Sequence, residues 1–187
     1  MAKSIEKYSD NDLYYMLTSD KKTAEKAFAE LYSRHSPRIF AYCRRFLGNK
    51  EDAQDVFQET FIRFLDSTKQ DRVMTNVPAF LLRIARNLCV NVKRKDKNPV
   101  SFEEYMVPDN HENDKSELLT LIKMALDVLP EEYKDIFILR EYDGLSYQEI
   151  SEMLEVPLST VKIRIFRAKQ KIRDVLAPYM KEIEKYN

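Results

Sequence analysis

Residues 144–174 read GLSYQEISEMLEVPLSTVKIRIFRAKQKIRD, and the placement of charge in this stretch decides how the chain is read. From Ser159 onward it carries Lys162, Arg164, Arg167, Lys169, Lys171 and Arg173, with no acid until Asp174. A solvated helix face normally mixes signs, because like charges four residues apart repel. At about 100° per residue, Val161, Ile165, Ala168, Ile172 and Leu176 share one narrow stripe, and the bases occupy the remaining surface. Taken alone, the pattern suits a docked surface helix as well as a binding one. The upstream residues separate the two. Ser146 and Glu149 have the spacing of a capping box. Ile150, Met153 and Leu154 give a short helix one apolar face, and Pro157 stops it. Ser159 or Thr160 is the expected cap of the basic helix. Two helices joined by a short turn, the second basic, make a helix-turn-helix whose second helix enters the major groove. The cluster then serves phosphate neutralisation and base-edge reading.

The whole chain narrows the alternatives. Its 187 residues are 33% charged and 44% hydrophobic, the composition of a globular protein. With only 2 Gly and few alternating β-branched runs, an all-α fold is expected. No stretch approaches the ~20 apolar residues of a membrane span. MAKSIEKYSD at the N-terminus has no apolar signal core, so no membrane insertion and a cytoplasmic location are expected. Cys43 and Cys89 lack metal-ligand spacing and read as reduced buried thiols, with a redox pair as the other reading. His35 and His111 are isolated. No metal site, cofactor loop, nucleophile–base set or paired-carboxylate signature is present, so the chain is not expected to be an enzyme.

The net charge of zero conceals a division. Residues 1–95 are basic, residues 96–128 acidic, and residues 129–187 near neutral. VPDNHENDKSE, in the acidic middle, reads as a linker. The expected organisation is two small helical domains, 1–95 and 126–187, joined by a linker at 96–125. In the first, Phe28, Leu31, Ile39, Phe40, Cys43 and Leu47 mark a long helix from Ala24, with a kink or break at Pro37 and an end at Gly48. KEDAQDVFQETFIRFL follows, with Val56, Phe57, Thr60, Phe61, Phe64 and Leu65 as its buried face. Asp52, Asp55, Gln58, Glu59 and Arg63 are left outside, a mostly acidic face in a basic domain. A loop leads to Pro78, a first-turn residue of the helix PAFLLRIARNLCVNVKRK. That helix buries Phe80, Leu81, Ile84, Leu88 and Val92, and its Arg83, Arg86, Lys93, Arg94 and Lys95 are relieved by no acid.

Three segments, DAQDVFQETFIRFL, FLLRIARNLCVNVKRK and LPEEYKDIFILREYDGLSYQEISEMLEVPLSTVKIRIFRAKQKI, closely resemble in this order the extracytoplasmic-function (ECF) group of bacterial RNA polymerase sigma factors. The resemblance implies a chain with room for the two domains of such factors and none for the further domains of housekeeping ones. It implies that the face at Asp52, Asp55, Gln58, Glu59 and Arg63 docks on the β′ coiled coil of core RNA polymerase, and the second domain on the β flap. The loop Lys69–Val77 and the helix after it would open and read the minus-ten promoter element through Arg83, Arg86, Asn87, Lys93 and Arg94, with Asn87 where the family reaches a flipped base. Thr160, Lys162, Ile163, Arg164, Phe166, Arg167 and Lys169 would read the minus-thirty-five element. The acidic linker would thread near the polymerase active centre. A cognate anti-sigma factor is a further implied partner. Phe80 stands where the family has tryptophan, Ile163 where a small polar residue is common, and Glu155 at a turn position often taken by glycine. The rival reading is a stand-alone helix-turn-helix regulator binding DNA as a dimer, which leaves the N-terminal basic helix and acidic face without a purpose.

Overall fold

Caps and stops set the elements, and among the described residues every regular element is helical. The structure is a computed structural model that describes residues 5–70, 73–95 and 114–183, with side chains throughout except at 114–119 and 180–183. The chain divides into two units, Met1–Arg94 and Lys95–Asn187. No described helix is long and apolar enough to cross a membrane.

In the first unit a single helical turn, Ile5–Lys7, precedes α1 (Asp10–Met16). Ser9 and Asp12 form a capping box that starts α1. The long helix α2 (Lys21–Leu47) begins three residues before the expected start at Ala24, because the Asp20 carboxylate accepts from the amides of Lys22 and Thr23. Of the kink or break expected at Pro37, the break does not occur. Ile39, Tyr42, Cys43 and Phe46 continue the buried face begun by Ala27 and Leu31, so packing outweighs one missing backbone bond. Pro37 and Ser33 lie on the wet side, where water can satisfy the Ser33 carbonyl. Gly48, at φ +77°, ends the helix in the left-handed region as its position predicts. Asn49 caps α3 (Lys50–Ser67), which packs along α2.

The core of this unit is aromatic: Tyr42, Phe46, Phe61 and Phe64 are buried, and Phe28 meets Phe61 edge-on at 6.2 Å. Truncating a buried ring of this kind costs about 3–5 kcal/mol. Helix α4 (Val77–Lys95) carries Pro78 in its first turn and is capped by the Asn76 side chain, which accepts from the Ala79 amide. Its buried set is Val77, Leu81, Leu82, Ala85, Leu88 and Cys89, rotated from the expected one. Phe80, Ile84 and Val92 are only half-buried.

In the second unit, Asp114–Asp127 forms helix α5, where the linker was expected to continue to 125. Ala125 and Leu126 give it a buried face, with Ile122 partly buried beside them and Leu129 buried just past its end. Residues 96–113, including most of the expected linker, lie outside the described residues. Helix α6 (Glu131–Phe137) runs into a π-helical turn, Ile138–Tyr142, closed by the Asp143 amide on the Ile138 carbonyl. Gly144 then takes φ +69°, letting the Leu145 amide reach the Leu139 carbonyl. Arg140 lies over the Tyr147 ring and donates to the Leu145 carbonyl, fixing the entry into α7 (Tyr147–Leu154). Helix α8 (Leu158–Ile183) follows, its Ala168 and Ile172 packed on Leu126, Leu129, Tyr133 and Phe137. Beneath this layer Lys134 and Asp127 form a largely buried ion pair at 2.6 Å, whose breakage would strand a charge at a cost of about 3–5 kcal/mol.

Candidate nucleic-acid interface

The turn between α7 and α8 determines where the basic helix points. Ser146 accepts from the Glu149 amide and the Glu149 carboxylate accepts from the Ser146 amide, so the box starts α7 as its spacing predicts. Ile150 is fully buried beneath it. The helix ends at Glu155, at φ 55° and ψ 40°, the only described non-glycine residue with positive φ. The turn keeps its left-handed geometry without glycine, at a cost on the order of 1 kcal/mol. The Val156 amide then reaches the Ser151 carbonyl, and the Ser151 hydroxyl donates to the Val156 carbonyl at 2.6 Å.

Helix α8 begins earlier than expected. The Pro157 carbonyl accepts from the Val161 amide, so Ser159 and Thr160 lie inside the first turn and neither is the cap. A proline carbonyl accepts as well as any other, which is why a Pro that ends one helix here opens the next. Val161, Ile165 and Ala168 are buried, as the stripe predicts. Ile163 and Phe166 are exposed to 51% and 66%, a large apolar surface for a helix face already rich in charge. Lys162, Arg167, Gln170, Lys171 and Arg173 are exposed beside them, with Thr160 half-buried at the helix start.

The bases differ in their surroundings. Arg164 pairs with Glu132 at 2.8 Å and Lys169 with Glu141 at 2.9 Å, and both are partly covered. Arg167 donates to the Tyr133 hydroxyl at 3.3 Å. The outermost wall of the helix is therefore Lys162, Ile163, Phe166 and Arg167.

On α4, Arg83, Asn87 and Arg94 share the outward face by helical spacing. Arg86 donates to the Asn87 side-chain oxygen at 3.2 Å, which brings two of the expected site residues together. Asn87 and Arg94 are exposed, while Arg83, Arg86 and Lys93 are half-covered. The segment before α4 is tied to α1: the Met74 amide donates to the Tyr15 hydroxyl, and the Asn11 side chain donates to the Thr75 carbonyl, both at 3.1 Å. Val73 beside it is 81% exposed.

On α3, Asp55, Gln58 and Arg63 are exposed, Asp52 and Glu59 partly so, and Arg63 donates to Glu59 at 2.7 Å. Two residues of this face escaped the sequence reading. Leu65, expected in the core, is exposed, and so is Ile62 among the charges. Their positions three residues apart, off the Val56–Phe61–Phe64 stripe, were the available signal.

Residues 31–98 match the family described as Sigma-70 region 2, and residues 119–172 match Sigma-70, region 4. The chain is 31% identical over 199 residues to the ECF RNA polymerase sigma factor SigE of Mycolicibacterium smegmatis, covering 95% of this chain and 76% of that protein. It is 30% identical to the ECF RNA polymerase sigma factor SigW of Bacillus subtilis, covering 83% and 92%. The chain belongs to the ECF RNA polymerase sigma factors. Its fold is also similar to that of CnrH in complex with the cytosolic domain of CnrY (TM-score 0.69, 22% identity, 90% of this chain and 97% of that one). A second such fold is RpoE of Bartonella quintana with the anti-sigma factor NepR (TM-score 0.65, 21% identity, 81% and 98%). In this sigma factor the region 2 match takes in α2 from Leu31 onward together with α3 and α4, and the helix-turn-helix of α7 and α8 lies within the region 4 match up to Ile172. A stand-alone regulator would account for the second match and leave the first without a role.

Proposed function

We propose that this sigma factor binds core RNA polymerase and directs it to a restricted set of promoters, acting in the cytoplasm and catalysing no reaction itself. The observation that carries this is the pairing of region 2 and region 4 in one chain, with an exposed base-and-apolar wall on α8. Region 4 supplies upstream recognition. Lys162 and Arg167 offer donors to guanine edges and phosphates, and Ile163 offers an apolar contact to a thymine methyl. Region 2 supplies the rest: Asn87 with Arg83, Arg86, Lys93 and Arg94 for the minus-ten element, and the α3 face at Asp52, Asp55, Gln58, Glu59 and Arg63 for the polymerase. Ile62 and Leu65 add apolar area to that face, as a protein-docking surface needs and a solvated helix does not.

A cognate anti-sigma factor would silence the chain by covering these same surfaces. Two solved structures of similar fold support this: RpoE is in complex with the anti-sigma factor NepR, and CnrH with the cytosolic domain of CnrY. The deciding experiment is transcription in vitro with core polymerase on genomic fragments. Defined start sites sharing two upstream elements are expected. Polymerase that gains no promoter selectivity from the chain would overturn the reading.

A further inference from the structure

The bases of the recognition helix are not equivalent, and the difference originates outside the helix-turn-helix. Arg164 is held by Glu132 of α6, thirty-two residues upstream, and Lys169 by Glu141 of the π-helical turn. Lys162 and Lys171 are exposed and have no acid partner among the described residues. Arg164 and Lys169 lie on opposite flanks of α8 by helical spacing, so the two acids stand on either side of the outward wall. Both pairs are partly wet, with 48% and 35% of the two glutamate side chains exposed, and contribute little to stability. Their effect is on the field that approaching DNA meets: each carboxylate cancels one cation that would otherwise bind any phosphate.

We infer that Glu132 and Glu141 are specificity-determining residues, internal counter-ions that withhold Arg164 and Lys169 from indiscriminate phosphate contact. Cognate DNA is then bound through the outer wall, where Lys162, Ile163, Phe166 and Arg167 read base edges. Non-cognate DNA, offering phosphates alone, finds two cations already engaged. The inference rests on the promoter-reading role proposed above for α8, and it accounts for acids placed beside a DNA-reading helix.

The test uses the full chain assembled with core polymerase, with Glu132→Gln and Glu141→Gln as near-isosteric variants. One probe is a duplex of random sequence; the other is the duplex that wild-type holoenzyme selects from a random library. Each variant should bind the random duplex roughly 2- to 5-fold more tightly, the range set by a partly exposed pair. Its salt dependence should steepen by about one unit of slope, for one added phosphate contact. Affinity for the selected duplex should rise less, so discrimination falls. A merely structural role would lower the melting temperature and leave the salt slope where it was. Variants that match wild type in both slope and discrimination would overturn the counter-ion role alone. Wild-type holoenzyme that selects no sequence would remove the promoter-reading role, and this inference with it.

Discussion

Replacing Phe166 with Ala tests the outward face of α8 most directly, because the same number bears on binding and on stability. The ring is 66% exposed, and a phenylalanine presents on the order of 200 Å², so about 130 Å² meets water in the free protein. If bound DNA covers half to all of that area, ~25 cal/mol per Å² gives about 1.5–3 kcal/mol, roughly a 10- to 150-fold loss of promoter affinity. The entropic cost of association falls on wild type and variant alike, so the difference is sounder than either absolute value. Stability should barely change. The exposed part of the ring loses no burial, and Ala has the higher helix propensity. Fluorescence anisotropy of holoenzyme on a promoter fragment measures the first quantity, and thermal unfolding of the free chain the second. A melting temperature lowered by several degrees with promoter affinity intact would show that Phe166 packs rather than reads, and would turn the helix face assigned here the wrong way.

Asp55→Lys combined with Glu59→Lys should sharply weaken binding to core polymerase while the fold persists, since among the described residues it breaks one ion pair, the exposed Glu59–Arg63 pair, worth about 0–1 kcal/mol; pull-down with core and circular dichroism read the two effects. Glu155→Gly should stabilise the second unit by about 0.5–1 kcal/mol, because glycine accepts φ 55° without steric cost; a lower midpoint in urea would refute the strain at that turn. His35 gives a pH dependence. Burial pushes its imidazole below the ordinary value of 6.5; the adjacent Asp10 carboxylate at 2.9 Å pulls upward, and the guanidiniums of Arg34 and Arg38 push downward again. The unfolded chain therefore takes up the proton first, and stability should fall as pH drops below about 6.5. His35→Gln should flatten that part of the stability–pH profile, and an unchanged slope would place the dependence elsewhere.

What the sequence made legible was whatever one helix decides for itself. The Ser146–Glu149 box, the stop at Gly48 and the Val161–Ile165–Ala168 stripe are all local, set by spacing and backbone sterics. The misreadings came where a neighbour decides. Pro37 breaks an isolated helix, but the buried face from Ala27 to Phe46 holds α2 together across it. On α4 the choice between Ile84 and Ala85 as core depends on what lies opposite, and Leu65 was misplaced for the same reason. The start of α8 was missed because Pro157, whose carbonyl accepts the first bond of its ladder, has no side-chain acceptor to mark a cap. Least legible were the pairs from α6 and the following turn to α8. Glu132 and Arg164 are unremarkable apart, and only the packing of Tyr133 and Phe137 against Ala168 and Ile172 brings those helices together. The site residues were legible as types and spacings; which bases are free to act was not.

Helix α8 has a mechanical consequence. Its 26 residues span about 39 Å, and the buried side chains that seat it, Val161, Ile165 and Ala168, all fall in its first half. It is thus a cantilever, clamped along the groove-reading turns and projecting toward Tyr179. A load on the projecting arm bends the helix beyond Asp174 and leaves the pitch at which the Ile163 end meets DNA unchanged. Pro178, by removing one backbone bond near the far end, makes the last turns a compliant joint and leaves the turns between Ala168 and Asp174 as the stiff handle.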